Sequence, residues 1–274
     1  MDDRLTPSSI YELVAEVGFK KYFHLGGFDA TRELIDLCPI NANSHVIDIG
    51  CASGKTACYL TRRYRCNVIG VDILPSMVGR AKERARAEGV TERVEFMVGD
   101  TQKLPLGDDL FDIVLGEFIT GLVDDKEGAV SEYVRVAKPG GTIGLNEATW
   151  LKAHPPQEII GFLDRTVGFK GELFTTEGWK ELLERSGMKE IMVRNYQTES
   201  LSDPREDIKD LIRSFPSFLH SLIRRPNFRE FVKMSIAVPN SLLEYFGYSL
   251  YVGRTRDSQN IDMPAQPLAG AHRR

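Results

Sequence analysis

His45-Val46-Ile47-Asp48-Ile49-Gly50-Cys51-Ala52-Ser53-Gly54 is a short β-branched run that ends in small residues, and Lys55 to Tyr64 follows it with helical spacing. A strand that turns on glycine into a helix opens a βαβ unit. The same alternation continues outward. Asn67-Val68-Ile69-Gly70-Val71, Val94-Glu95-Phe96-Met97-Val98, Phe111-Asp112-Ile113-Val114-Leu115 and Thr142-Ile143-Gly144-Leu145 read as further strands. Several are nearly continuous apolar runs, as strands covered on both faces should be. Pro75 to Glu88 and Lys126 to Val136 read as intervening helices. In the first of these, Met77, Val78, Ala81 and Ala85 share one side, leaving Arg80, Lys82, Glu83 and Arg84 for solvent. Alternating strands and helices imply right-handed crossovers and a parallel sheet. The expectation is an α/β fold, open and doubly wound.

The flanks divide by pattern. Residues 1–40 read as a helical lid interrupted at Leu25-Gly26-Gly27, and 41–200 as the core, with a helix over Thr175 to Ser186 closed by Gly187 and a strand over Lys189 to Tyr196. Residues 201–244 form a helical insertion. Its Ile208, Leu211, Ile212, Phe215, Phe218, Leu219, Leu222 and Ile223 mark an amphipathic face that Pro216 should bend. That segment could roof a substrate pocket with Phe215, Phe218 and Tyr248, touch anionic lipid, or make a homodimer contact. Residues 245–256 supply a final strand, and 257–274 read as a disordered tail.

The 274 residues are 42% apolar and 27% charged, the balance of a globular chain. A net charge of −4 supplies no global basic field for nucleic acid. No apolar run approaches the roughly 18 residues of a membrane span, and the acidic start MDDRLTPSS is unlike a signal peptide. Cys38, Cys51, Cys58 and Cys66 form no CxxC pair. A reduced, cytoplasmic protein without a metal site or stable membrane insertion is expected.

The strand ends carry the chemistry. Small residues in the turn Gly50 to Gly54 let a ligand approach the backbone at the positive end of a helix. The spacing is GxxxG, which meets neither GxGxxG nor the Walker pattern. Asp72 ends the second strand, where a carboxylate suits a ribose diol, and Asp100 ends the third, where it could accept from an adenine amino group. Each could instead cap a helix or a loop.

In order, DIGCASG, GVD, GDTQKLP, FDIVLGE and YVRVAKPGG strongly resemble the class I S-adenosylmethionine-dependent methyltransferases, over about residues 40–195. Thr175 to Trp179 and Leu182 to Gly187 resemble the family's small-molecule branch, the methyltransferase type 11-like one. The resemblance implies a Rossmann-like, mostly parallel seven-stranded sheet with its last strand antiparallel. It also implies S-adenosylmethionine as cofactor and S-adenosylhomocysteine as product. Gly50, Cys51 and Gly54 would pass near the methionine part. Asp72 and Ile73 would hold ribose and adenine, and Asp100 and Thr101 would flank the adenine. Asp48, Met77 and Glu117 complete the implied cofactor set. Ala52 departs from the family, which usually has a second glycine there.

The acceptor should lie at the ends of the fourth and fifth strands. Glu117 and Glu147 could orient an amine or hydroxyl or take its proton. Glu147 could equally cap a loop or pair with Lys152. Phe118, Asn146, Trp150, Tyr22 and Tyr248 are candidate substrate contacts, and His24 in the lid is a candidate catalytic group. Arsenite methyltransferases of the same branch carry a cysteine where this chain has Phe118, so that activity is not expected. No Asn/Asp-Pro-Pro-Tyr loop marks a DNA-base enzyme. The reading is methyl transfer to a small-molecule or lipid-like acceptor. Two rivals remain: a non-catalytic protein that binds S-adenosylmethionine or S-adenosylhomocysteine, and a nicotinamide-dependent oxidoreductase, against which the missing GxGxxG and the presence of Asp100 argue.

Overall fold

The computed structural model describes residues 25–166, 173–197 and 241–256, together with single positions between 220 and 239. Tyr22 and His24 lie outside the described residues. So do Phe215, Phe218, most of the insertion, and the tail from 257.

Seven strands form one sheet: β1 (His45–Ile49), β2 (Asn67–Asp72), β3 (Val94–Val98), β4 (Phe111–Glu117), β5 (Ala137–Trp150), β6 (Lys189–Gln197) and β7 (Phe246–Arg254). Their spatial order is β3-β2-β1-β4-β5-β7-β6. The pairs from β3 through β5 are parallel, and β7 runs antiparallel to both its neighbours. The expected Rossmann-like, mostly parallel sheet is therefore present, and its antiparallel last strand lies inside the sheet. Strand order reverses between β1 and β4, and ligands of such sheets bind in the crevice at that point.

Strand alternation sorts the helices onto two faces. On one, α1 (Gly27–Asp36), α2 (Lys55–Tyr64) and α3 (Pro75–Glu88) bring Leu34, Leu60 and Ala81 against Val46, Val68, Ile113 and Leu115. On the other, α4 (Lys126–Val136) and α6 (Thr176–Arg185) bring Tyr133, Trp179 and Leu182 against Ile47, Val114, Ile143 and Leu145. A third apolar cluster joins Leu25, Phe118, Trp150 and Phe246 to Ile159, Phe162 and Leu163 of α5 (Gln157–Thr166).

The fifth strand is much longer than the apolar run Thr142 to Leu145 suggests. Pro139-Gly140-Gly141 looks like a loop, yet a register shift opposite Phe111 and Ile113 absorbs the extra residues within the strand. Pairing with β7 then carries it on to Trp150. Tyr245 closes a short helix, α7 (Leu242–Tyr245), and the last strand starts one residue later. All four cysteines are buried and unpaired.

Candidate active site

The turn after β1 is held by its neighbour. The amides of Gly50 and Cys51 both donate to the carbonyl of Val71, at 2.8 and 3.0 Å. Gly54, at φ +74°, leads into α2, and a Cβ there would stand 2.7 Å from the Phe96 ring and 2.8 Å from Ala81. Glycine is therefore required both by backbone angle and by space. Ala52 takes φ +44°, a left-handed conformation that alanine adopts at a cost. Its amide donates to Asp72 Oδ2 at 2.8 Å, and the Leu74 amide donates to Oδ1 at 2.9 Å. Asp72 thus ties together the turns after β1 and β2. Ile73 beside it is 54% exposed, while Met77 is buried.

Two more carboxylates stand on the same face. Glu117, at the end of β4, accepts from the Thr31 hydroxyl of α1 at 2.8 Å and the Thr56 hydroxyl of α2 at 3.0 Å. Asp48 is buried in β1 and accepts from the Ala57 amide. Its Oδ2 finds no hydrogen-bond partner among the described residues. Burial pushes the Asp48 carboxyl well above the usual range, and the charges of Glu117 and Asp72 push it further. Burial also raises Asp72, against the two amides that favour its ionised form. The Cys51 thiol is raised by burial and then by Asp48 and Asp72, so it stays protonated and unreactive.

Asp100 ends the β3 edge of the crevice half-buried, and its Oδ1 accepts from the Gln102 amide at 2.9 Å. The Thr101 hydroxyl turns inward to Tyr133, donating to its oxygen at 2.8 Å.

On the β5 side, Asn146 stands directly beside Glu117 in register. Its Nδ2 donates to the carbonyl of Leu25 at 3.2 Å, which pins the residues leading into α1. Phe118 adopts φ +59° and donates its amide to the Asn146 carbonyl at 2.6 Å. This left-handed residue ends the alternation of β4, and its ring joins Leu25, Ala148, Trp150 and Phe246. Tyr248 packs against that cluster and stacks on Tyr196, with centroids 4.9 Å apart. Gly26 lies over Tyr248 so closely that a Cβ would come 2.5 Å from its ring. Phe118, Asn146, Trp150 and Tyr248 are thus gathered at one end of the sheet.

A family model described as a methyltransferase domain matches residues 47–145, the segment that holds the glycine turn and all of these carboxylates. Residues 47–145 are thus a methyltransferase domain of that family. An uncharacterised protein of Haemophilus influenzae is 28% identical over 183 residues, which cover 66% of this chain and 72% of that one. A phosphoethanolamine N-methyltransferase of Triticum aestivum is 24% identical over 209 residues, 76% of this chain; the chain spans only 40% of that enzyme's length. Among solved structures, the [4+2]-cyclase SpnF shares the fold with a TM-score of 0.73 and 18% identity, covering 91% of this chain and 94% of that one.

Glu147 is not brought to Glu117. Because Glu117 pairs with Asn146, the next residue along β5 points to the opposite face. There Glu147 is fully buried beneath the turn after β4 and accepts from the amides of Thr120 and Gly121 at 2.8 and 3.1 Å. The cap alternative describes this position, whereas Lys152 pairs with Glu244 at 3.3 Å.

Sequence reasoning missed Thr31, Thr56 and Tyr133. Thr56 had a signal, since a hydroxyl two residues past the last turn glycine faces back toward that turn. Thr31 had none, because its partner lies 86 residues away. Among the described residues, no group of three or more His, Cys, Asp or Glu side chains could hold a metal ion, and no helix is long and apolar enough to cross a membrane.

Proposed function

We propose that the chain is an S-adenosylmethionine-dependent methyltransferase for a small-molecule or lipid-like acceptor with an apolar or aromatic body. The observation that carries this reading is the gathering of Asp48, Asp72 and Glu117 around a left-handed glycine turn, with no cation of the described residues among the charges acting on Asp48. Asp48 and Glu117 would face the cationic methionine part beside Gly50, Cys51 and Gly54. Asp72 keeps lone pairs beyond its two amide bonds and would accept from the ribose hydroxyls, with Ile73 and Met77 along the adenine. Asp100 and Thr101 would border the other side of that ring. Bound there, the cofactor supplies a methyl group on a sulfonium, open to in-line displacement.

The protein's part in such a displacement is to hold the acceptor near attack distance. Phe118, Trp150 and Tyr248 supply an apolar wall for it, and Asn146 and Glu117 border that wall with polar groups. This arrangement favours a ring carbon or hydroxyl of quinone-like character, then a small amine. The wheat relative acts, by its name, on phosphoethanolamine, which keeps the amine reading in view.

A second reading is ligand binding without methyl transfer. The likeness to a structure named as a cyclase favours it, since one fold carries more than one chemistry. Calorimetric titration with S-adenosylmethionine, S-adenosylhomocysteine and NAD in parallel tests the shared premise. Binding of both adenosyl ligands and not NAD is expected; NAD binding alone would reject it. A screen for S-adenosylhomocysteine release in the presence of aromatic, prenylated and amine acceptors then separates an enzyme from a binder.

A further inference from the structure

The buried carboxylate of Glu147 accepts from the amides of Thr120 at 2.8 Å and Gly121 at 3.1 Å. Beyond it, the Thr120 and Tyr133 hydroxyl oxygens are 3.3 Å apart, and Thr101 donates to the Tyr133 oxygen at 2.8 Å. Each hydroxyl has a single proton to donate. The Thr101 proton goes to Tyr133, and either the Tyr133 or the Thr120 hydroxyl supplies the proton between those two. A chain of contacts therefore runs from Thr101 through Tyr133 to Thr120, whose own amide is held by Glu147. Hydrogen bonds polarised in series in a dry interior strengthen one another.

The ends of this chain matter more than its middle. Thr101 directly follows Asp100 at the end of β3. The amides held by Glu147 lie in the turn that follows Phe118, whose left-handed backbone persists only where its surroundings over-determine it. Tyr133 in α4 is fully buried and, among the described residues, is the side chain that touches both turns by hydrogen bonds.

We propose that Glu147 and Tyr133 are positioning residues that couple the turn carrying Asp100 to the turn carrying Phe118, across the sheet face opposite the carboxylates. The proposal rests on the reading above, in which the first turn borders the cofactor and the second borders the acceptor. A ligand that settles the Asp100 turn thereby also settles the wall presented to the acceptor.

Hydrogen exchange of residues 118–123, read by mass spectrometry with and without saturating S-adenosylhomocysteine, tests the coupling. The wild type should slow exchange at Ile119, Thr120 and Gly121 on binding. Tyr133→Phe and Thr120→Val should bind the ligand within about threefold of wild type yet lose that slowing, whereas a merely structural role would raise exchange with and without ligand alike. If either folded variant transmits the protection as the wild type does, the coupling is refuted. A wild type that binds no S-adenosylhomocysteine would instead defeat the cofactor reading. In that event ligand-free Glu147→Gln still decides whether Glu147 holds the turn: the Thr120 and Gly121 amides must exchange at least about tenfold faster than in the wild type, or the positioning role fails too.

Discussion

The amide of Ala52, in the turn after β1, donates to Oδ2 of Asp72 at the end of β2 across 2.8 Å. The second oxygen of the same carboxylate accepts from Leu74. Asp72 therefore shapes the turn against which the cofactor would lie, besides offering it an acceptor. The ribose role proposed for it and its capping role would use different lone pairs of one group.

Replacing Asp72 with Ala would confound the two roles, so Asp72→Asn is the informative change. It keeps the shape and one carbonyl acceptor while removing the charge. S-adenosylhomocysteine affinity should fall by about 1.5–3 kcal/mol, the range for hydrogen bonds to charged groups. Calorimetric titration of a variant shown to be folded by circular dichroism measures it, and an unchanged dissociation constant would remove Asp72 from the site.

Ala52 offers a test with the opposite sign. A left-handed residue with a Cβ costs about 1–2 kcal/mol, and glycine gives back about 0.5–1 kcal/mol of that in unfolded-chain entropy. Ala52→Gly should thus raise stability by about 0.5–1 kcal/mol, provided the Asp72 bond survives. Urea denaturation with an unchanged slope would read this, and a loss of stability would mean that the turn is relaxed as it stands.

Trp150 is 6% exposed and packs edge-on to Phe246 at 5.9 Å between ring centroids. Trp150→Ala should cost about 3–5 kcal/mol of stability through the cavity left at the end of the sheet. Trp150→Phe should recover most of it. If the Ala variant melts like the wild type, the apolar wall assigned to the acceptor is not packed as described.

The pH dependence of folding carries the signature of Glu147. Burial pushes its carboxyl up from 4.5 to about 7, against the pull of the Thr120 hydroxyl and the three amides. The groups facing it from α4 and β7 are Tyr133 and Tyr251, both raised by burial and neutral throughout this range. In the unfolded chain Glu147 ionises first, so its contribution is complete below about pH 4.5 and is lost as pH rises through about 7. The difference in unfolding free energy between wild type and Glu147→Gln should shift against the wild type by on the order of 3 kcal/mol across that window. Denaturation at a series of pH values checks this, and a flat difference would place Glu147 in contact with water.

The elements around Asp48 to Gly54, Asp72 and Asp100 were legible because their signals are local. A β-branched run, a small-residue turn and an apolar helical stripe each lie within a dozen residues, and an acid at the end of a strand lands at the crevice whatever the rest of the chain does. Sequence order alone therefore determined the doubly wound sheet and the strand ends that carry the carboxylates. Tertiary structure decided which of those groups share a face. Glu117 and Glu147 look equivalent as strand-end acids, yet the pairing of Glu117 with Asn146 sends Glu147 to the far side, because successive side chains of a strand point in opposite directions. Register between β4 and β5 is set by pairing and core packing summed over the sheet, and no local stretch encodes it. The same holds for the left-handed backbone of Phe118, which the Asn146 carbonyl and the grip of Glu147 on the Thr120 and Gly121 amides help to hold.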